Sequence, residues 1–151
     1  MNNKQIGSVL VVGGGIAGMQ AAIDSAEMGY KVYLVEKEPS IGGNMAKLDK
    51  TFPTNDCAMC MISPKLVETG RHLNIEIISY AEIKKFEGEA GNFTVTVNKK
   101  ARYVDENKCN GCGECELECP VERIDEFNGE LSKRNGIYRL YPQAIPNVYT
   151  I

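Results

Sequence analysis

The sequence predicts an α/β fold, in which buried parallel strands are joined by helices, and three neighbouring features indicate it. Residues 8–12, SVLVV, form an apolar run without alternation, which is typical of a strand buried on both faces. A glycine turn follows at once, and residues 16–28 carry apolar side chains at helical spacing until Gly29. Residues 31–36, KVYLVE, are typical of a second strand, which completes a right-handed βαβ unit. The predicted buried stripe of the helix consists of Ile16, Met19, Ala22, Ile23 and Ala26.

The next stretch of the chain predicts a short helix, a third strand and a hairpin. Ser63 and Pro64 fit the N-cap and first position of a helix. The run NIEII, residues 74–78, is typical of a strand. Alternating apolar residues on either side of the Ala-Gly-Asn turn at residues 90–92 predict an antiparallel pair.

Composition limits the class of protein. A chain of 151 residues suits one core with a small added module. The net charge of -3, without any cluster of Lys and Arg, argues against nucleic acid as a partner. The longest apolar run is too short to span a bilayer, and the first residues lack the layout of a signal peptide. We therefore expect a cytoplasmic protein, whose clustered cysteines bind metal or carry out redox chemistry rather than form structural disulfides.

The glycine turn has the G-x-G-x-x-G spacing of a Rossmann-like dinucleotide-binding unit. Gly13 allows the tight turn, Gly15 lets a pyrophosphate approach the backbone, and Gly18 allows close packing of helix on strand. Glu36 ends the second strand, where a carboxylate accepts hydrogen bonds from ribose hydroxyls and disfavours a 2′-phosphate. The sequence thus predicts FAD or NAD, and a second glycine pair at residues 42–43, as in many flavoproteins, favours FAD. The residues predicted to bind the cofactor are Gly13, Gly15, Ile16, Ala17, Gly18, Glu36, Lys37 and Gly43.

Four cysteines follow the pattern C-x2-C-x2-C-x3-C and are followed by a proline, which is the bacterial ferredoxin spacing for a [4Fe-4S] cluster. Structural zinc sites usually separate two short pairs by a longer loop, and this run has no such gap. The predicted ligands are Cys109, Cys112, Cys115 and Cys119. In two-cluster ferredoxins the fourth ligand of such a run serves the other cluster, so Cys119 completes either a local or a second cluster.

These two motifs divide the sequence into two predicted domains. Residues 1–100 form a partial dinucleotide-binding domain with an antiparallel hairpin, and residues 101–151 form a ferredoxin-like iron-sulfur segment. No residue stands out as a nucleophile or an acid-base catalyst, because the only histidine, His72, follows a predicted helix end and is typical of a surface residue.

A second cysteine motif, NDCAMC, places Cys57 and Cys60 in a C-x-x-C pair. Three interpretations stay open: a redox-active dithiol beside a flavin, two ligands of a further cluster, or buried inert thiols. We count Cys57 and Cys60 among the candidate metal ligands.

With these motifs, the chain resembles the A subunit of heterodisulfide reductase, the iron-sulfur flavoprotein of methanogens and related anaerobes. The resemblance rests on the segments VLVVGGGIAGMQAA, YKVYLVEKEPSIGGNMAKLDKTFPTNDCAMC, RYVDE, KCNGCGECELECPVE and YPQAIPNVYTI. It implies a thioredoxin-reductase-like FAD domain with a ferredoxin insertion. By position, Gly13, Gly15, Gly18 and Glu36 would bind FAD, and Cys109, Cys112 and Cys115 would hold a cluster.

The resemblance also implies a role in flavin-based electron bifurcation. A two-electron donor would be split into one electron for ferredoxin and one for the heterodisulfide of coenzymes M and B, a step of methanogenesis. The implied partners are the other heterodisulfide reductase subunits, an electron-donating hydrogenase or formate dehydrogenase, and ferredoxin.

Family members are several times longer than this chain and continue into a second cysteine run. We therefore expect a fragment or a split subunit that has no turnover by itself. Two alternatives are a flavin-dependent disulfide reductase that uses Cys57 and Cys60, and a non-catalytic module in which the cysteine run holds zinc.

Overall fold

The computed structural model describes residues 7–151, so residues 1–6 of the predicted first domain lie outside the described residues. Its helices are α1 (Ile16–Glu27), α2 (Ala58–Arg71) and α3 (Glu114–Leu117), with a 3-10 helix over Gly43–Lys47. Its strands are β1 (Ser8–Val12), β2 (Lys31–Glu36), β3 (Lys50–Thr51), β4 (Asp56–Cys57), β5 (Ile75–Ser79), β6 (Ala81–Glu89), β7 (Asn92–Lys99), β8 (Glu122–Ile124) and β9 (Lys133–Asn135). Among these helices none is long and apolar enough to cross a membrane.

The main sheet is parallel and confirms the predicted α/β fold. Its strand order is β1-β2-β5, with Val35 opposite Val12 on one side and Ile78 on the other. The central strand β2 is the most buried of the three, because both of its neighbours and helix α1 cover it. Within the described residues β1 pairs on one side only, and its last residue, Val12, is 64% exposed.

Helix α1 follows the predicted pattern except at its first residue. Gly29, at φ +92°, takes the left-handed conformation that ends the helix. The predicted residues that are buried are Met19, Ala22, Ile23 and Ala26. Ile16, which the pattern places on the same stripe, is 41% exposed, because it lies in the first turn, at the edge of the sheet.

The predicted start of the second helix at Ser63 and Pro64 is wrong. Helix α2 begins at Ala58, with Cys57 as its N-cap, and Pro64 lies inside it. A proline in a helix interior removes one backbone hydrogen bond, but the buried face holds the helix on the core. That face consists of Ala58, Ile62, Leu66 and Thr69, spaced three or four residues apart.

The predicted hairpin is confirmed as β6 and β7, whose register aligns Ala81 with Lys99 and Glu89 with Asn92. Most of it is exposed, and Phe86 and Phe93 pack on each other with ring centroids 4.7 Å apart.

The C-terminal tail, residues 138–151, returns to the core of the first unit. Tyr141 is buried, and its hydroxyl donates a hydrogen bond to the carbonyl of Ile41. The N–H of Ile41 donates to the carbonyl of Ile145 at 2.8 Å, and Ala144 packs in the same core. The division of the chain at residue 100 stays a prediction, and the structure adds that the tail contacts both parts.

Replacing Tyr141 by Phe should lower the free energy of unfolding by about 1 kcal/mol, because the ring stays in place while the bond to Ile41 is lost. Urea unfolding measures this change. The matched control is Tyr103→Phe, at a side chain that is 80% exposed, and its effect should stay below about 0.5 kcal/mol. Equal losses in the two variants would contradict the anchoring role of Tyr141.

Candidate functional site

Of the three motif glycines, Gly13 and Gly15 lie in the tight turn between β1 and α1, and Gly18 lies in the first turn of α1. Gly13 has φ +98°, a conformation that favours glycine, and its N–H donates to the carbonyl of Val35 at 2.8 Å. A Cβ on Gly15 would meet no heavy atom within 4 Å, so the space in front of the helix N-terminus is open. A Cβ on Gly18 would lie 1.8 Å from the carbonyl oxygen of Gly13. Only glycine therefore allows this approach of helix to strand.

Glu36 joins the end of β2 to the glycine turn. Its side chain is buried, with Oε2 accepting from the N–H of Gly14 at 2.6 Å and Oε1 accepting from the N–H of Glu38 at 2.9 Å. Each carboxylate oxygen has two lone pairs, so both can still accept a ribose hydroxyl. The arrangement fits the ribose end of a dinucleotide whose pyrophosphate lies at Gly15 and the helix N-terminus.

The second glycine pair lies against the first. Gly42 donates its N–H to the carbonyl of Gly14 at 2.8 Å, and a Cβ on Gly43 would lie 2.9 Å from the Cα of Gly15. This loop narrows the space through which a pyrophosphate reaches the helix. Of the other predicted cofactor contacts, Ile16 and Ala17 are exposed in the first helical turn.

Lys37 is also exposed, on the strand end next to Glu36. It lines a cavity of about 500 Å³ together with Pro39, Tyr80 and Phe127. This cavity lies between the sheet edge and the segment that follows the cysteine run.

The cysteine run carries four free thiols, of which Cys109 and Cys112 lie in a loop, Cys115 lies in α3 and Cys119 follows α3. Gly111 and Gly113 have φ of +72° and +93°, which bends the backbone between the first three cysteines. Burial raises the pKa of the Cys115 thiol above its ordinary value, and the nearby sulfurs of Cys109 and Cys112 raise it further.

Cys119 has a different environment. Hydrogen bonds with the backbone of Ile137 and Val121 lower the pKa of its thiol. Its sulfur lines a cavity of about 630 Å³ beside the β8 and β9 hairpin, together with Cys115 and Arg123. Cys119 therefore lines the same cavity as Cys115, and both completion of the local cluster and binding of a second one stay open.

The donor set fits an iron-sulfur cluster. It consists of four free thiols in the spacing C-x2-C-x2-C-x3-C, without the longer loop that usually separates the two pairs of a structural zinc site. Within residues 7–151, no three His, Cys, Asp or Glu side chains converge around one point.

Two tail residues that the sequence did not single out cover the cysteine loop. A Cβ on Gly111 would lie 2.6 Å from Nδ2 of Asn147, and a Cβ on Gly113 would lie 3.3 Å from the hydroxyl of Tyr149. Tyr149 is buried and donates to Oε2 of Glu116 at 2.7 Å. Burial and this bond raise the pKa of Tyr149 to about 12, so its hydroxyl stays a donor at neutral pH.

The same tail thus contacts both sites. Tyr141 binds the carbonyl of Ile41, next to the second glycine pair, and Asn147 packs on the cysteine loop. At no more than about 3.6 Å per residue, the backbone at Tyr141 and at Asn147 is at most about 22 Å apart. The tail therefore limits how far the two loops lie from each other.

Cys57 and Cys60 form a disulfide at the N-terminus of α2, with their Cα atoms 5.2 Å apart. The N–H of Cys60 donates to Sγ of Cys57 at 3.1 Å, and both residues are exposed. The interpretation as buried thiols is therefore wrong. A disulfide fits the redox-active pair, whereas cluster ligation requires reduction to thiolates, and both of these interpretations stay predictions.

Comparison with protein families gives the class of protein. Residues 8–68 match the model of FAD dependent oxidoreductases, and residues 103–124 match that of a 4Fe-4S binding domain. The L-proline dehydrogenase of P. horikoshii shares the fold, with a TM-score of 0.51 and 23% identity over 64% of this chain and 20% of that one. The chain is thus part of an FAD-dependent oxidoreductase with an iron-sulfur domain, and its cofactors are FAD and a [4Fe-4S] cluster.

More similar relatives are A subunits of heterodisulfide reductases. The first of two iron-sulfur A subunits of the CoB–CoM heterodisulfide reductase of Methanopyrus kandleri is 60% identical over 95% of this chain and 22% of its own length. The corresponding protein of Methanocaldococcus jannaschii is 59% identical with the same coverage. The A subunit of the H(2)/formate:CoB-CoM heterodisulfide,ferredoxin reductase of Methanococcus maripaludis is 55% identical, again over 95% and 22%. Over 95% of its length the chain is similar to heterodisulfide reductase A subunits, and it spans about a fifth of the length of these relatives.

Two alanine variants separate the folding and binding roles of the motif glycines. Gly15→Ala should leave the free energy of unfolding within about 0.5 kcal/mol, because its Cβ enters open space, but should remove most of the bound FAD. Gly18→Ala should cost about 1 to 3 kcal/mol, because its Cβ overlaps the carbonyl of Gly13.

Flavin absorbance after gel filtration and urea unfolding of the flavin-free protein measure the two effects. Retention of FAD by Gly15→Ala would show that the pyrophosphate does not lie at this turn.

Proposed function

We propose that this chain binds FAD and a [4Fe-4S] cluster at neighbouring sites and passes electrons between them. The observation that carries the proposal is the tail, whose residues 141–149 touch both the second glycine pair and the cysteine loop. A shared segment keeps the separation of the two sites constant. Electron transfer between two carriers needs such a fixed arrangement, which is the part that a protein supplies in cofactor chemistry.

In this proposal the backbone of the first turn of α1 binds the pyrophosphate. Gly15 leaves room for it, and the N–H groups of Ile16 and Ala17 in the first helical turn would donate to its oxygens. Glu36 accepts hydrogen bonds from the ribose while the N–H groups of Gly14 and Glu38 hold its carboxylate in place. Bound FAD exchanges electrons singly or in pairs, whereas a cubane exchanges them one at a time.

The cysteine loop supplies the thiolates. Cys109, Cys112 and Cys115 follow the C-x2-C-x2-C spacing and are the proposed ligands of the local cluster. Gly111 and Gly113 let the loop wrap around it, and Asn147 and Tyr149 cover the loop from the tail side. Two roles of Cys119 are compatible with its hydrogen bonds to the backbone of Ile137 and Val121. It completes this cluster, or it binds a second one.

We further propose that the complete protein works as the relatives' names describe. One of those names is that of an H(2)/formate:CoB-CoM heterodisulfide,ferredoxin reductase, which names the heterodisulfide and ferredoxin as substrates. This supports flavin-based bifurcation in methanogenesis, with hydrogenase or formate dehydrogenase as donor, other heterodisulfide reductase subunits as partners, and the cytoplasm as the location. The Rossmann-like unit and the cysteine run are the parts of that machinery that this chain contributes.

A second candidate function is reduction of a disulfide at Cys57 and Cys60. It is favoured by their bonded sulfurs, which are exposed at the N-terminus of a 14-residue helix. A helix N-terminus stabilises a thiolate, and a reduced flavin can deliver the two electrons that open a disulfide to two thiols.

The cofactor content tests the main proposal. Anaerobically purified protein should contain about four iron and four sulfide per cluster, flavin, and no stoichiometric zinc. A triple variant with Ser at Cys109, Cys112 and Cys115 should lose the iron and keep the flavin, because the glycine turn is untouched. Cys119→Ser should keep the iron if that residue serves a second cluster.

Iron, sulfide, zinc and flavin assays on one sample measure this. Colourless protein with zinc in place of iron would contradict the proposal and favour the zinc module.

The double variant Cys57→Ser, Cys60→Ser distinguishes the second candidate. If this pair is a redox-active dithiol, the variant should lose all disulfide-reducing turnover, since no bond remains to accept the electron pair, while the visible cluster absorbance stays unchanged. Loss of iron from the variant would instead assign both residues as ligands of a further cluster. Ser63→Ala, in the same helix, is the control.

A further inference from the structure

Arg102 is a buried cation at the edge of the main sheet. Its side chain is 2% exposed, and Nη2 donates to the carbonyl of Pro39 and, at 2.8 Å, to Oγ of Ser79. Pro39 follows β2 and Ser79 ends β5, so the guanidinium bridges the ends of the two strands next to Glu36. Its Cζ also lies 5.7 Å from the ring centroid of Tyr80.

On its other side, Arg102 holds the turn that leads to the cysteine run. Its Nε donates to Oε1 of Glu106 at 2.9 Å. Glu106 lies in a turn in which the carbonyl of Asp105 accepts from the N–H of Lys108 at 3.1 Å and of Cys109 at 3.0 Å. Two hydrogen bonds, from Arg102 to Glu106 and from Cys109 to Asp105, therefore connect the guanidinium to the first cysteine of the run.

The backbone of Arg102 also binds the C-terminal end of the tail. Its carbonyl accepts from the N–H of Ile151 at 3.3 Å and from Oγ1 of Thr150, which is fully buried, at 3.5 Å. The preceding residue, Tyr149, covers the cysteine loop. One residue thus connects the sheet edge, the turn before Cys109 and the tail.

Stability alone is a poor explanation for this cation. Nη1 is buried and has no hydrogen-bond partner among residues 7–151, and the only carboxylate that pairs with the guanidinium in this part of the chain belongs to a residue that is 36% exposed. Burying a charge and an unpaired N–H costs free energy, and an apolar side chain of similar volume would fill the space without that cost. The guanidinium instead fixes the orientation of two segments relative to each other. Its planar group of N–H donors binds the strand ends at Pro39 and Ser79 and the turn at Glu106.

We propose that Arg102 is a positioning residue for electron transfer: it holds the turn of residues 105–109, and with it Cys109, at a fixed place on the sheet edge beside the FAD site. This inference rests on the proposed function for its effect on electron transfer. The link itself, between the guanidinium and the turn, belongs to the protein without cofactors.

The test uses the full-length protein, both loaded and free of cofactors. Arg102→Met fills similar volume and removes every donor. Lys99→Met is the matched control, because Lys99 pairs with the other oxygen of Glu106, Oε2, at 3.0 Å and is 49% exposed. Amide hydrogen exchange at Lys108 and Cys109 and the rate of cluster reduction by reduced flavin are measured, with flavin and iron content in parallel.

In Arg102→Met, we expect exchange at these two amides to rise about tenfold in the cofactor-free protein. In the loaded protein, the rate of cluster reduction should fall about tenfold or more at unchanged cofactor content. Lys99→Met should stay within about twofold of the parent in both measurements. Where Arg102→Met does not accumulate, Glu106→Ala cuts the same link at a partly exposed side chain and should raise the exchange in the same way.

A merely structural role would lower the unfolding midpoint and leave both the local exchange and the electron-transfer rate of the loaded fraction unchanged, which would overturn the proposal. So would equal effects of Lys99→Met and Arg102→Met. A parent protein without flavin or iron would refute the proposed function, while the exchange measurement would still decide whether Arg102 holds the turn.

Discussion

The return of the C-terminal tail onto the loop after β2 is the contact on which both sites depend. The hydroxyl of Tyr141 and the backbone of Ile145 bind Ile41, which places the second glycine pair against the first. A few residues later the same segment packs on the cysteine loop through Asn147. Together with the bonds of Arg102 to the sheet edge and to the turn before Cys109, this return sets the separation of the glycine turn and the thiols. The tail therefore holds the glycine turn and the cysteine loop together in one structural unit.

The parts that were predictable from sequence are those in which neighbouring residues carry the whole signal. Gly13, Gly15 and Gly18 lie within six residues of one another, and steric limits on a Cβ at Gly18 make the motif informative by itself. The cysteine spacing is equally local. The start of helix α2 was misplaced because Pro64 fits a first helical position, although the buried residues from Ala58 onward already have helical spacing.

The parts that sequence reasoning missed depend on contacts between distant segments. The tail has no periodic pattern, because Tyr141, Asn147 and Tyr149 are each held by a different partner. Arginine is a residue type that is usually exposed. Only the fold shows that the donors of Arg102 bind the ends of two strands. Burial of a charged side chain cannot be inferred from the residue type, since it is decided by where its acceptors converge.

The account depends on a flavin and a cubane held at a short, fixed separation by protein segments that touch both sites. Electron paramagnetic resonance of the partly reduced protein tests this most directly, because an unpaired electron on the flavin relaxes faster near a paramagnetic cluster. We predict fast relaxation and a resolved magnetic interaction between the two signals. Two independent signals, with the flavin relaxing as it does when no cluster is present, would contradict the account.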